Sequence, residues 1–133
     1  MSKRILDTEV LIRHYNKLTR PRSAQTVKEH ARQLIELEET HWILSPIKIE
    51  FLCGARNSNE FSLYSAYLEP FALLDMRKIP AQDWSEAERL AQWNKLGGRP
   101  HKLGDCLIKA IAKRLHAGFV TRDQDFHSRI PPR

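Results

Sequence analysis

Short apolar runs alternate with stretches of helical period along this chain, and that alternation predicts its layers. Ile5-Leu6 reads as a short buried strand that ends at Asp7-Thr8. Val10-Leu11-Ile12 opens a helix through about Lys17, which Thr19-Arg20-Pro21-Arg22 breaks. Ser23 suits the cap of a second helix, since a serine hydroxyl can take one of the unpaired amides of a first turn. Val27, Ala31, Leu34 and Ile35 then fall on one face of that helix. Residues 41–45, with Trp42-Ile43-Leu44 apolar at consecutive positions, read as a strand covered on both sides. Pro46 fits the first turn of a third helix, expected to turn Ile49, Leu52 and Cys53 to one side and to end near Gly54. Residues 60–69 read as helix and Phe71-Ala72-Leu73-Leu74 as strand. A long helix follows Pro80, with Asp83 and Glu86 at capping-box spacing and Trp84, Ala87, Leu90 and Ala91 as its buried stripe. Gly97-Gly98 stops it. The last helix runs from Leu103 to His116 with Leu107, Ile108, Ile111 and Leu115 inward, and Gly118-Phe119-Val120-Thr121 is the fourth strand.

Strands separated by pairs of helices predict an α/β sandwich with a mostly parallel sheet, in one domain spanning residues 1–133. In such sheets ligands gather beyond the carboxyl ends of the strands. Four acids occupy that kind of position. Asp7 closes the first strand, Glu50 lies about one helical turn past the second, Asp105 sits in the first turn of its helix, and Asp123 follows the fourth strand. Carboxylates that converge repel one another unless a cation neutralises them. Asp75, Asp83, Glu86 and Glu88 read instead as capping and surface charges.

Composition narrows the chemistry. Lys and Arg number 22 against 16 Asp and Glu, a net charge of +6 that favours polyanions over acidic small molecules. Arg13, Arg20, Arg22, Arg99, His101, Lys102 and Arg122 are the candidate cations flanking the acidic positions. The six histidines, His14, His30, His41, His101, His116 and His127, show no ligand spacing and read mostly as solvated surface residues. Asp and Glu without His or Cys partners suit Mg²⁺ or Mn²⁺ rather than zinc. Cys53 and Cys106 form no paired motif and read as buried free thiols. No apolar run approaches the roughly 20 residues of a membrane span, so a cytoplasmic protein without a membrane partner is expected. Trp42, Trp84 and Trp93 read as core or interface residues.

Four blocks, taken in order, are similar to a known family. Ile5-Leu6-Asp7-Thr8-Glu9-Val10-Leu11-Ile12 resembles the opening of PIN-domain ribonucleases. Residues 45–54 resemble their second acidic block, Gly104-Asp105-Cys106-Leu107-Ile108-Lys109-Ala110-Ile111-Ala112 the third, and Thr121-Arg122-Asp123-Gln124-Asp125-Phe126 the last. Size and compactness resemble the VapC-like toxins of bacterial toxin–antitoxin pairs. The resemblance implies a three-layer α/β/α, Rossmann-like fold with a four- to five-stranded sheet. It implies a divalent-metal-dependent endoribonuclease in which Asp7, Glu50, Asp105 and Asp123 hold Mg²⁺ or Mn²⁺ and Thr8 and Thr121 support them. Asp123 is favoured over Asp125 as the fourth acid, because it comes first after the strand; Asp125 is assigned to holding the loop. Glu9 replaces the Asn common in the family; it either draws in another cation or an ordered water, or favours the helix start, where negative charge suits the macrodipole.

The partners implied are an RNA substrate, a cognate antitoxin and a second copy in a homodimer. Arg13, Arg99, His101, Lys102 and Arg122 are the candidate RNA contacts, and apolar residues on the second helix and near Tyr64-Tyr67-Leu68 the candidate dimer or antitoxin surface. The competing reading is a non-catalytic RNA-binding or scaffold module on the same fold. A weaker likeness joins Asp7-Thr8-Glu9-Val10 to the paired-acid loop of the haloacid-dehalogenase phosphatases, whose second acid is normally Asp.

Overall fold

The computed structural model describes residues 3–96 and 102–120. Its element order is β1 (Arg4–Leu6), α1 (Thr8–Asn16), α2 (Ala24–Glu38), β2 (Trp42–Ile43), α3 (Ser45–Cys53), α4 (Ser58–Leu68), β3 (Ala72–Leu73), α5 (Ala81–Leu96), α6 (Leu103–Arg114) and β4 (Gly118–Val120). The four described strands form one parallel sheet in the order β3-β2-β1-β4. Helices follow every strand up to β3, and the architecture is the three-layer α/β/α sandwich. β1 lies inside the sheet, which is why Ile5 and Leu6 are fully buried. Around them gather Leu11 and Val27 from α1 and α2, Ile43 from β2, and Ile47 and Ile111 from α3 and α6.

Local chemistry sets the boundaries. Asp7, not an apolar residue, starts α1: its carboxylate accepts the Thr8 amide at 2.8 Å, so the helix begins two residues before Val10. Ser23 caps α2 as expected, with Thr26 completing a reciprocal capping box. Three expected faces are corrected. On α3 the inward residues are Pro46, Ile47 and Phe51, whereas Ile49 and Cys53 face solvent. This helix is apolar on several sides, so its period alone could not orient it. On α5 the inward positions are Asp83, Ala87 and Leu90, while Trp84 is half exposed and Ala91 lies outward. Asp83 is therefore no cap: it is almost wholly buried and receives the Arg114 Nε at 2.9 Å on both oxygens, tying α5 to α6. Tyr67 and Leu68 are buried in the core and cannot form a partner surface; the large exposed apolar residues of α2 and α4 are Leu37 and Phe61.

Two histidines, His14 and His30, depart from the surface reading, whereas His116 is exposed as expected. His14 and His30 stack with ring centroids 3.7 Å apart, and His14 Nδ1 lies 2.7 Å from the buried Tyr67 hydroxyl. His30 Nε2 donates to the His14 carbonyl at 2.6 Å. A carbonyl only accepts, so this nitrogen carries a proton. Burial, then the neighbouring His30 and Lys17, push His14 down from an ordinary 6.5 to about 4. The folded state thus refuses a proton that the unfolded chain takes below pH 6.5, and stability is lost as pH falls from there toward 4. His14→Gln is expected to remove most of this acid-side loss, on the order of 2 kcal/mol. Urea unfolding across that pH range would show a flattened slope in the variant.

Candidate active site

The site is assembled from three ends of secondary structure. β1 delivers Asp7 beyond its carboxyl end, where the side chain turns back to cap α1. That geometry presents Thr8, the first residue of α1, toward α3. The Thr8 hydroxyl donates to Glu50 Oε1 at 2.6 Å. The other Glu50 oxygen rests against the backbone of Gly104, in the first turn of α6. A side-chain carbon at position 104 would stand 3.1 Å from Glu50 Cδ and closer still to Oε2, so glycine lets this carboxylate lie where it does, and a larger residue would push it aside. Asp105, the next residue, is exposed in the same first turn.

The charges of these groups reach one another. Asp7 is held above the usual carboxylate range, first by burial. The Thr8 amide opposes the shift, and the negative charges of Glu50, Asp105 and Glu9 add to it, in that order. Three of the sequence-named acids are thus neighbours in space, although they are far apart in sequence. They do not close into a cage: among the described residues, no three His, Cys, Asp or Glu side chains are grouped to hold a metal ion. The donors that do meet here are hard oxygens, the kind that Mg²⁺ and Mn²⁺ take.

The remaining named residues divide cleanly. Asp123, Asp125, Thr121, Arg122, Arg99 and His101 lie outside the described residues. Glu9 is exposed in the first turn of α1 and pairs with Arg13 at 3.1 Å, which fits the helix-start reading and partly neutralises that arginine. Lys102 is exposed as the residue that precedes α6, three residues before Asp105. Sequence reasoning missed Gly104 as a site residue. The signal was there, since glycine is a poor choice for the first turn of a helix unless something must come close. A surface depression of about 310 Å³ past the end of α1 is lined by Arg56 with Arg22, Asn16, Asn59 and Tyr64, and by Glu60, which pairs with Arg56 at 3.1 Å.

Gly104→Ala is expected to leave the fold nearly as stable, because alanine is the better helix former by about 1 kcal/mol. It should displace the Glu50 carboxylate from Thr8 and reduce any activity of the site by at least tenfold. A melting curve beside an activity assay separates the two effects; equal activity would mean that Glu50 tolerates the displacement.

No curated protein matches the chain. The family model described as PIN domain matches residues 4–130, nearly the whole length. With the parallel sheet, the acids at its carboxyl edge and that match together, the chain belongs to the PIN domain family and carries its nuclease-type fold.

Proposed function

We propose that this protein is a divalent-metal-dependent endoribonuclease, the toxin of a toxin–antitoxin pair. The observation that supports it most directly is the shared electrostatics of Asp7, Glu50 and Asp105 at the carboxyl edge of a parallel sheet. These three, with Asp123, are the residues that would hold Mg²⁺ or Mn²⁺. The ion, when bound, supplies positive charge where negative charge builds on phosphate oxygens. Thr8 fixes the orientation of Glu50, and Gly104 fixes how near α6 comes to it. Asp7 must be ionised to ligate, and its raised pKa means that metal affinity grows as pH climbs through that value.

RNA reaches the acids past cations that make phosphate contacts without reading sequence. Lys102, the residue before α6, precedes Asp105 by three residues and is the cation proposed for this contact. Single-stranded segments suit such a site, since their bases can splay away from the scissile phosphate. A protein antitoxin and a second copy of the chain are the partners proposed. Leu37 and Phe61 offer them exposed apolar area. None of the described helices is long and apolar enough to cross a membrane, and the setting proposed is the cytoplasm.

Asp7→Asn tests the reading, because asparagine caps a helix as well as aspartate does. The variant should keep RNA binding, lose cleavage of single-stranded RNA by at least a hundredfold, and melt no lower than wild type without metal. Millimolar Mg²⁺ or Mn²⁺ should raise the melting temperature of the wild type, more at higher pH, and leave the variant unmoved. Wild-type protein that binds RNA but neither cuts it nor responds to either ion would favour the non-catalytic module.

A further inference from the structure

Asp75 lies at the carboxyl edge of the sheet but outside the acidic site. The parallel register pairs Trp42 with Ala72 and Ile43 with Leu73. Leu74 N continues the ladder by donating to the Ile43 carbonyl at 2.9 Å. The same offset carries Ser45, the first residue of α3, to Asp75. There Asp75 Oδ1 accepts the Ser45 amide at 3.0 Å. Leu44, the residue in the capping position of α3, makes no side-chain cap, so the helix takes this one from a different strand end.

The arrangement is costly. Asp75 is 4% exposed, and neither its Oδ2 nor the Ser45 hydroxyl oxygen has a hydrogen-bond partner among the described residues. A buried carboxylate oxygen without a partner works against folding. The chain then turns at once through Met76 and Arg77, both left-handed at φ 52° and 61°, with Lys78 N donating to the Asp75 carbonyl at 2.9 Å. Non-glycine residues adopt that conformation only where surroundings enforce it. A serine at position 44 would cap α3 without either cost. What the costly form adds is a rigid bond between the sheet and the root of the helix that carries Glu50. Glu50 lies about 7.5 Å along α3 from that root, and α3 is too short to bend independently of its first turn.

We infer that Asp75 is a positioning residue of the active site, holding α3 so that the Glu50 carboxylate meets Thr8 and Gly104. Its role is indirect: the contact that Asp75 makes is with the Ser45 amide at the root of α3, five residues before Glu50. The inference rests on the nuclease reading of the site. Displacement of a reacting group by about 1 Å can lower a rate a hundredfold, so loss of the anchor is felt in catalysis more than in stability.

The test compares Asp75→Leu, Asp75→Asn and wild type in RNA cleavage, Mn²⁺ affinity by calorimetry, melting, and amide exchange at Ser45 and Glu50. Leucine fills the same space without charge, and such a replacement of a buried, half-paired acid is often neutral for stability. Asp75→Leu should melt close to wild type, exchange the Ser45 amide faster, bind Mn²⁺ several-fold more weakly and cut RNA at least tenfold more slowly. Asp75→Asn retains the accepting oxygen and should recover to within about threefold of wild type. Full activity and Mn²⁺ affinity in Asp75→Leu overturn the inference, as does an Asp75→Asn variant as impaired as Asp75→Leu. If wild-type protein neither binds Mn²⁺ nor cuts RNA, the proposed function fails instead. Exchange rates then decide the anchor by themselves, and unchanged rates in Asp75→Leu overturn it.

Discussion

Mutual repulsion of carboxylates is the constraint around which this molecule is organised. Asp7, Glu50 and Asp105 carry like charge within reach of one another, and Asp7 is also partly withdrawn from water. Left to themselves such groups drift apart or take up protons. The fold prevents the first outcome with backbone. Asp7 is bound into the cap of α1, Glu50 is bonded to a hydroxyl of the same turn, and α6 comes up against Glu50 because residue 104 has no side chain. Each acid is thereby attached to an element that the core already fixes through Leu11, Ile47 or Leu107. Energy spent on holding the charges together comes from apolar burial elsewhere, which is the usual source of strain at working sites.

Much of this was legible in the sequence, for a definable reason. Strands buried on both faces appear as unbroken apolar runs, so Ile5-Leu6 and Trp42-Ile43 announced themselves and placed Asp7 and Glu50 near one edge. Ser23 and Pro46 carried their own positional chemistry, and both sit where that chemistry put them. Asp105 stood out as a candidate because an acid in the first turn of a long apolar helix has few packing roles.

What escaped the sequence depended on partners distant in the chain. Asp83 resembles a cap by spacing, yet its environment is set by Arg114 on another helix. His14 and His30 look like surface residues one at a time; only the packing of α1 on α2 stacks their rings. Cys53 and Cys106 have similar neighbours in sequence, but α3 turns one outward and α6 turns the other in. Helices that are apolar nearly all round, such as α3, hide their orientation from any reading of period. Asp75 was rightly expected to cap, while the identity of the helix that it caps required the register of β2 on β3.

The shortness of β3 has its own consequence. Among the described strands it forms one border of the sheet, and four residues, Ala72 to Asp75, run along that border before the backbone twists into left-handed conformations at Met76 and Arg77. A foreign strand laying itself alongside would lose its ladder at that twist. Brief, sharply terminated borders are how parallel sheets avoid recruiting neighbours into fibres, so the turn after β3 also guards the protein against aggregation through that side.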